Sequence, residues 1–518
     1  MKRPQRSRLV AGIDSSTQST KIVLCEAEDG TVLGRGSAPH PPGTEVDPAA
    51  WWAALQQAGT GLLDRAAAVG VAGQQHGMVV VDSGGQVIRP ALLWNDLRSA
   101  AAAADLVSEY GGPSWWASAV GSVPTASFTV AKLRWLAAHE PANARRVAAV
   151  MLPHDWLGWR LRCGGPRGAF GQGDVSGVSG LSGRSGASGT GGAGDRSGDG
   201  LAGMPELVTD RGDASGTGYF SPAAGAYLPG LAASAIGQPV RLPRVAGPAE
   251  VVGQTAWGAA VSAGTGDNMA AALGLDLQPG DVAVSIGTSG TAFTVSQVPA
   301  ADPSGAVAGF ADATGRFLPL VCTVNAGLVL SAIGSMLGTG LDGLSALALA
   351  AGAGAGGITL LPYLDGERMP DRPGATGVLR GLTTRNATRQ NLARAAVEAV
   401  LASLADAAGR LAAQGQTGNG PGSAGEAPGP RRVLLTGGGA RSAAVRELAP
   451  GIFFAPVRVP EPEEYVALGA ARQAAWAVAG TPEPPPWPPR PAATFTGRAR
   501  PEVRERHAAL RDDTATWG

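Results

Sequence analysis

Two stretches far apart in this chain repeat one pattern: an apolar run, a turn of small hydroxyl-bearing residues, and a second apolar run. The first is Leu9–Leu24 (LVAGIDSSTQSTKIVL) and the second is Val282–Val295 (VAVSIGTSGTAFTV). Each is expected to fold as a β-hairpin whose Gly, Ser and Thr tip presents backbone N–H groups and hydroxyls at close range. Two such tips facing each other across a cleft would clamp a polyphosphate. The repetition therefore points to an ATP-using enzyme built from two related halves.

At 518 residues the chain is too long for one compact core, so two large domains are expected. Lys plus Arg and Asp plus Glu number 41 each, which gives no electrostatic case for nucleic acid or a membrane surface as partner. The three cysteines, Cys25, Cys163 and Cys322, are scattered without metal-ligand spacing, and a reducing cytoplasm fits them better than a disulfide framework. The basic start (Lys2, Arg3, Arg6, Arg8) precedes an apolar stretch cut at Asp14, too short for a signal-peptide core. No later run approaches a membrane span.

Strand and helix patterns alternate in both halves, which argues for an α/β fold. A helix is expected from Ala49, with Asp47-Pro48 as its start, and a long one from Asn391 to Asp406, where apolar residues recur at three- and four-residue spacing. Arg65–His76 reads as a short buried strand ending in a polar loop, and Arg432–Ser442 as strand, glycine turn and helix start. The Gly/Ser-rich tract from about 164 to 203 is expected to be a flexible surface insertion, and Gln414–Pro430 a second loop of that kind. The Pro-rich segment Pro482–Pro491 is expected to leave the second domain as a tail.

Phosphoryl transfer needs a phosphate cradle, a divalent cation and an acid to take the acceptor's proton. At the first tip, Asp14 ends a buried strand beside Ser15, Ser16, Thr17, Ser19 and Thr20. That position suits a carboxylate holding Mg²⁺ through water, or one that accepts hydrogen bonds from its own turn. At the second tip, Gly287, Thr288 and Ser289 carry no acid and suit phosphate oxygens, or simply turn a hairpin. Gly437-Gly438-Gly439 lets backbone approach a flat ligand such as a nucleoside. Asp267, in Gly264–Asn268, is either a helix N-cap or a general base at a helix entrance. Gln75 and His76, in Gly73–Gly77, offer neutral donors and acceptors to a polyol, although a single His is as readily structural. Trp94–Arg98 could extend that polar wall or pair internally.

Taken in order, these segments resemble the FGGY carbohydrate kinases over the span from about Val10 to about Gly480. The series comprises the Asp14 hairpin, GQQHG at Gly73–Gly77, LWNDLR at Leu93–Arg98, SFTVAKLRW at Ser127–Trp135 and LPHDWL at Leu152–Leu157. It continues with DASGT at Asp213–Thr217, GTGDN at Gly264–Asn268, SIGTSG at Ser285–Gly290, LPYLDGER at Leu361–Arg368, Gly377–Thr383 and GGGARS at Gly437–Ser442.

The resemblance implies two actin-like (ribonuclease-H-like) domains flanking a catalytic cleft, over residues 8–275 and 276–480, with 481–518 as tail. It implies ATP-dependent phosphorylation of D-xylulose at its 5-hydroxyl; the alternatives are ribulose, gluconate, glycerol or another polyol, or a less similar actin- or Hsp70-like binding protein. By the same resemblance Asp267 is the base and Asp14 the first-hairpin acid that serves Mg²⁺. Gln75, His76 and Asn268 contact the sugar. Thr17, Gly287, Thr288, Ser289, Gly438, Gly439 and Ser442 serve ATP. Two positions differ from many family members: Ser16 stands where a Gly is common, and Gln75 where a Met is common before the His. The expected partners are the sugar and ATP, with a homodimer left open.

Overall fold

Both repeated stretches fold as antiparallel hairpins, and each hairpin anchors a separate sheet in a computed structural model that describes residues 8–163, 204–414 and 429–517. The Gly/Ser tract and most of the second glycine-rich loop lie outside the described residues. In the first sheet the strands are β1 (Leu9–Ser15), β2 (Ser19–Glu26), β3 (Val32–Pro39), β4 (Ala68–Gly73), β5 (Val251–Gln254), β6 (Ala260–Ser262) and a short β7 (Thr265–Gly266). Their order is β5-β6-β4-β1-β2-β3, with β7 pairing β4. The second sheet holds β8 (Asp281–Ile286), β9 (Gly290–Thr294), β10 (Ala308–Ala311), β11 (Phe317–Thr323), β12 (Arg432–Thr436), β13 (Val457–Pro460) and β14 (Ala492–Phe495). Its order is β10-β11-β9-β8-β12-β13-β14.

The two halves share a plan. In each, three antiparallel strands (β1-β2-β3 and β8-β9-β11) are extended on the first strand by a parallel strand, β4 beside β1 and β12 beside β8. A ligand site in such sheets is expected where the parallel strands end. Central strands buried on both faces read as continuous apolar runs. Alternate residues then serve opposite faces. Ile13, Ile22 and Leu24 pack with Trp51, Leu55 and Trp156 on one face of the first sheet. Val10, Val23 and Cys25 pack with Ala467, Leu468 and Ala471 on the other.

Helices α1 (Pro48–Gly59), α2 (Thr129–His139), α3 (Pro153–Arg162) and α4 (Arg211–Ala214) belong to the first half. As expected, Asp47 caps α1, accepting from the Ala49 N–H with Pro48 in the first turn. Between the two sheets lies α5 (Asp267–Gly274). Its Met269, Ala272 and Leu273 share a core with Ala283, Phe293 and Leu434 of the second sheet. The second half adds α6 (Gly327–Met336), the long α7 (Arg389–Gln414), α8 (Ala443–Phe453), α9 (Tyr465–Ala479) and α10 (Pro501–Asp513). One face of β8 and β12 (Val282, Val284, Val433, Leu435) packs on Ala396, Val400 and Leu404 of α7. Among the described residues no single helix is long and apolar enough to cross a membrane.

Two elements depart from a division by chain order. Although α9 follows the second sheet in sequence, it packs on β1 and β4 of the first sheet and on α5. Alanine and glycine make this possible. A Cβ at Gly12 would sit 1.8 Å from the Ala467 carbonyl oxygen, and one at Gly469 would sit 1.8 Å from that of Ala270. The segment after Pro482 is not a tail. Trp487 donates from Nε1 to the Ala27 carbonyl at 3.0 Å, β14 pairs β13, and α10 buries Val503 and Leu510. Residues 492–510 extend the second sheet by a strand and pack α10 against the middle of α7, which outweighs the proline run before them.

The close approach at Gly12 carries a prediction. Gly12→Ala should destabilise the protein by about 3 kcal/mol or more, because backbone rather than a flexible side chain must move. Gly230→Ala, in a helix where a Cβ meets nothing within 4 Å, should be neutral or slightly stabilising. Denaturant unfolding of the two variants checks the contrast.

Candidate active site

Strand register brings three segments of the first half to one place. Asp14 and Thr265 both stand level with Ala72, and Ser15 and Gly266 both stand level with Gly73. The chain leaves these strand ends as the Ser16–Gln18 tip, the Gln74–Gly77 loop and the start of α5. Asp14, Gln75, His76, Asp267 and Asn268, far apart in sequence, therefore share one crevice.

Asp267 is the first residue of α5 rather than its cap; Gly266 occupies the cap position. Its Oδ1 accepts from the Asn268 backbone N–H at 2.8 Å and from Asn268 Nδ2 at 2.9 Å. Asn268 Nδ2 also donates to Gln75 Oε1 at 3.2 Å, so the three expected side chains form one network. Gln75 lies flat on Gly266, where a Cβ would come 2.8 Å from Gln75 Cγ. The buried Gln75 Nε2 has no protein acceptor and is left for a ligand.

His76 adopts φ 67°, unusual for a residue with a side chain. Its Nδ1 lies 2.7 Å from the Gly216 carbonyl oxygen, and its ring packs 4.7 Å from Phe128 between centroids. A carbonyl only accepts, so Nδ1 carries the proton and Nε2 of the neutral ring offers a lone pair. Burial, with the charges of Lys132 and Arg368 added, pushes the imidazole pKa down to about 3 and keeps it neutral. The partner of Nε2 must then be a donor such as a hydroxyl.

Both acids are held above the ordinary carboxylate range. Burial, reinforced by the charges of Asp14 and Asp213, raises Asp267 to about 7. Burial raises Asp14 to about 6 against the opposing effects of the Ser16 hydroxyl and Lys21. Ser16 Oγ donates to Asp14 Oδ1, so the serine that departs from the common family pattern bonds the acid directly. Thr17 Oγ1 accepts from Trp94 Nε1 at 2.9 Å. Asp96 pairs with Arg98 at 2.8 Å, whereas the buried Asn95 Oδ1 of the same cluster has no protein donor.

On the second half, Gly287, Thr288 and Ser289 form an exposed tip at the end of β8. The N–H groups of Gly327 and Leu328, at the start of α6, hold the Gly287 and Thr288 carbonyls at 2.9 and 3.2 Å. The adjacent parallel strand β12 ends in Gly437, whose φ of 82° and approach to Ile286 require glycine. A Cβ at Gly438 would meet nothing within 4 Å, so that backbone faces open space beside the tip. Ser442 has a structural task as well: its Oγ accepts from the Val445 N–H and caps α8. Cys322 of the second half feels the charge of Asp267. Burial raises that thiol's pKa, Arg368 opposes the rise, and Asp267 adds to it. Cys322 precedes Thr323, the register partner of Gly290 at the tip.

Several residues escaped reading by residue type alone. His154 and Asp213 entered only through family motifs, yet they lie beside this crevice with His154 Nδ1 2.5 Å from Asp213 Oδ2. Asp155 Oδ1 is 3.3 Å from His154 Nε2, and Asp210 accepts from Thr265 Oγ1 at 2.8 Å. Burial pulls the imidazole down, but Asp155, Asp213 and Asp210 together reverse this and raise it to about 10. The group could be read as metal ligands. A 2.5 Å nitrogen–oxygen contact leaves no space for an ion between those atoms, and an imidazolium bridging carboxylates accounts for it.

Comparison with known proteins agrees with this geometry. Residues 9–165 match the N-terminal domain and residues 282–478 the C-terminal domain of the FGGY family of carbohydrate kinases. A xylulose kinase from Streptomyces coelicolor is 42% identical over 488 residues, 91% of this chain and 88% of the relative. One from Escherichia coli is 32% identical over 460 residues, 84% of this chain and 83% of the relative. The crystal structure of xylulose kinase from Bifidobacterium adolescentis superposes with a TM-score of 0.84 at 40% identity, covering 98% of this chain and all of that one.

The raised pKa of Asp267 has a consequence for stability. A carboxyl whose folded pKa exceeds its unfolded value gives stability that is complete at low pH and is lost as pH rises through the folded pKa. Asp267→Asn should therefore stabilise the protein at pH 8 on the order of 1–2 kcal/mol, with the gain fading towards pH 4. Denaturant midpoints across that range test it, and a gain that grows at low pH would contradict it.

Proposed function

The chain belongs to the FGGY family of carbohydrate kinases, and from that premise we propose that it transfers the γ-phosphoryl group of ATP to the 5-hydroxyl of D-xylulose. The observation that carries this reading is the linked Gln75–Asn268–Asp267 network beside His76. It presents an acceptor, an unused donor and a candidate base to a polyhydroxylated ligand. The identity to xylulose kinases over nine-tenths of the chain supports the choice of sugar.

In this reading the sugar lies on the first half. His76 Nε2 accepts from one hydroxyl, and Gln75 Nε2 donates to another oxygen. Asp267 takes the proton of the reacting hydroxyl as the oxygen–phosphorus bond forms. Its pKa near 7 suits that task, being basic enough to accept a proton yet largely ionised in mildly alkaline solution. At the tip of Gly287, Thr288 and Ser289 the Gly287 N–H is held by the Ser289 carbonyl, and the N–H groups and hydroxyls of Thr288 and Ser289 receive phosphate oxygens. The open backbone at Gly438 receives the nucleoside, while Gly439 lies against Ile286. A divalent cation fits the first tip. Asp14 is a buried carboxylate that burial destabilises, and it is flanked by the hydroxyls of Ser16 and Thr17. When bound there through water, Mg²⁺ would neutralise phosphate charge. Closing the halves together would exclude water and align the hydroxyl with the γ-phosphorus.

Two measurements test the proposal. Asp267→Ala should lower kcat about 10³-fold or more while leaving the affinity for a non-hydrolysable ATP analogue within about twofold. Near-normal turnover would remove Asp267 as the base. In a coupled assay across xylulose, ribulose, gluconate and glycerol, D-xylulose should give the highest kcat/KM; a clear preference for another would overturn the substrate.

A further inference from the structure

One lysine in this protein lies fully inside the first half, and no ion pair among the described residues explains its burial. Lys132 of α2 is 0% exposed. Its ammonium donates to two backbone carbonyls, that of His76 at 2.8 Å and that of Ser127 at 2.7 Å. Among the described residues no carboxylate lies within ion-pair distance of it; Asp96 acts on it only from further away. Burial lowers its pKa to about 7, which shows how unfavourable the site is for the charge. A methionine would fill such a place at less cost.

What the lysine holds is the least comfortable residue of the crevice. His76 has a left-handed backbone, a conformation unfavourable for a residue with a Cβ. Its carbonyl receives two donors from α2, Lys132 Nζ and Thr129 Oγ1, the latter at 3.2 Å. With the peptide fixed in that way, the ring is turned so that Nδ1 meets the Gly216 carbonyl and the other ring edge is offered to the crevice. An extended backbone at this position would swing the imidazole away from Gly216.

We propose that Lys132 is a positioning residue of the sugar subsite, its ammonium and the Thr129 hydroxyl clamping the His76 carbonyl so that Nε2 stands ready to accept from a sugar hydroxyl. This rests on the reading of His76 as a sugar contact. It assigns a role to the Ser127–Trp135 segment, which supplies both donors from one helical turn. Lys132 is fully buried behind the loop, so its loss acts through the His76 and Ser127 peptides that it holds.

Steady-state kinetics with D-xylulose and ATP on full-length Lys132→Met, Lys132→Gln, Thr129→Val and His76→Ala test the proposal. Lys132→Met should raise the sugar KM about tenfold or more, with a smaller fall in kcat and the ATP KM within twofold. Lys132→Gln keeps a donor without the charge and should recover part of the loss; Thr129→Val should raise the sugar KM about threefold. Equal rises in both KM values for Lys132→Met would mark a general structural defect and overturn the positioning role. If His76→Ala raises the sugar KM strongly and Lys132→Met leaves it unchanged, this inference fails while the sugar contact stands. If neither changes it, the contact itself fails. Should Lys132→Met not fold, Lys132→Gln and Thr129→Val decide alone, and a normal sugar KM in both would overturn the clamp.

Discussion

The geometry of the enzyme depends on one contact, the backbone-against-backbone packing of α9 on β1 of the first sheet. A helix can lie this close to a strand only where side chains are removed, and Gly12 beneath Ala467 supplies the gap. On its other side Gly469 meets α5 in the same way. The chain of the second half thereby returns to the first, and α5 is held between α9 and the second sheet. Asp267 begins α5, so this packing sets where the proposed base stands relative to both sheets.

The second determinant is charge buried in the crevice. Asp14 and Asp267 are both raised by burial, and the charge of Asp14 raises Asp267 further. An arrangement that concentrates like charge is a cost to folding, and under the proposed function it is a benefit to chemistry, giving a base near neutrality and a place that favours a cation. Behind them the His154 imidazolium offsets Asp155, Asp210 and Asp213. Through Thr265, Asp210 also ties that offset to the strand that leads into Asp267.

Much of this was legible in the sequence because it rests on local signals. The two hairpins, the Asp47 cap, the long helix around residue 400 and the glycine turn after β12 each follow from pattern, turn chemistry or periodicity over a few residues. The cluster of Gln75, His76, Asp267 and Asn268 came from family motifs, and the register shared with Ala72 and Gly73 explains why those motifs converge. What was not legible depended on partners distant in sequence. Nothing near residue 470 says that an alanine-rich helix will pack on the first sheet. The proline run at 482–491 resembles an exit signal until β14 pairs beyond it. Lys132 sits in a helix like any surface lysine, and only the fold reveals that two carbonyls wait for it. The N-cap reading of Asp267 failed by one residue, because Gly266 takes the extended conformation that a cap requires.

The central claim is that one crevice, formed where the parallel strands of both sheets end, brings a sugar hydroxyl to Asp267 and the phosphates of ATP to Gly287–Ser289. A crystal structure of the protein with D-xylulose and a non-hydrolysable ATP analogue measures this directly. The account predicts the sugar's 5-hydroxyl within hydrogen-bond distance of an Asp267 carboxylate oxygen, another hydroxyl on His76 Nε2, and the β- and γ-phosphates against the Gly287–Ser289 backbone. A sugar bound away from Asp267, or a nucleotide whose phosphates avoid that tip, would contradict it.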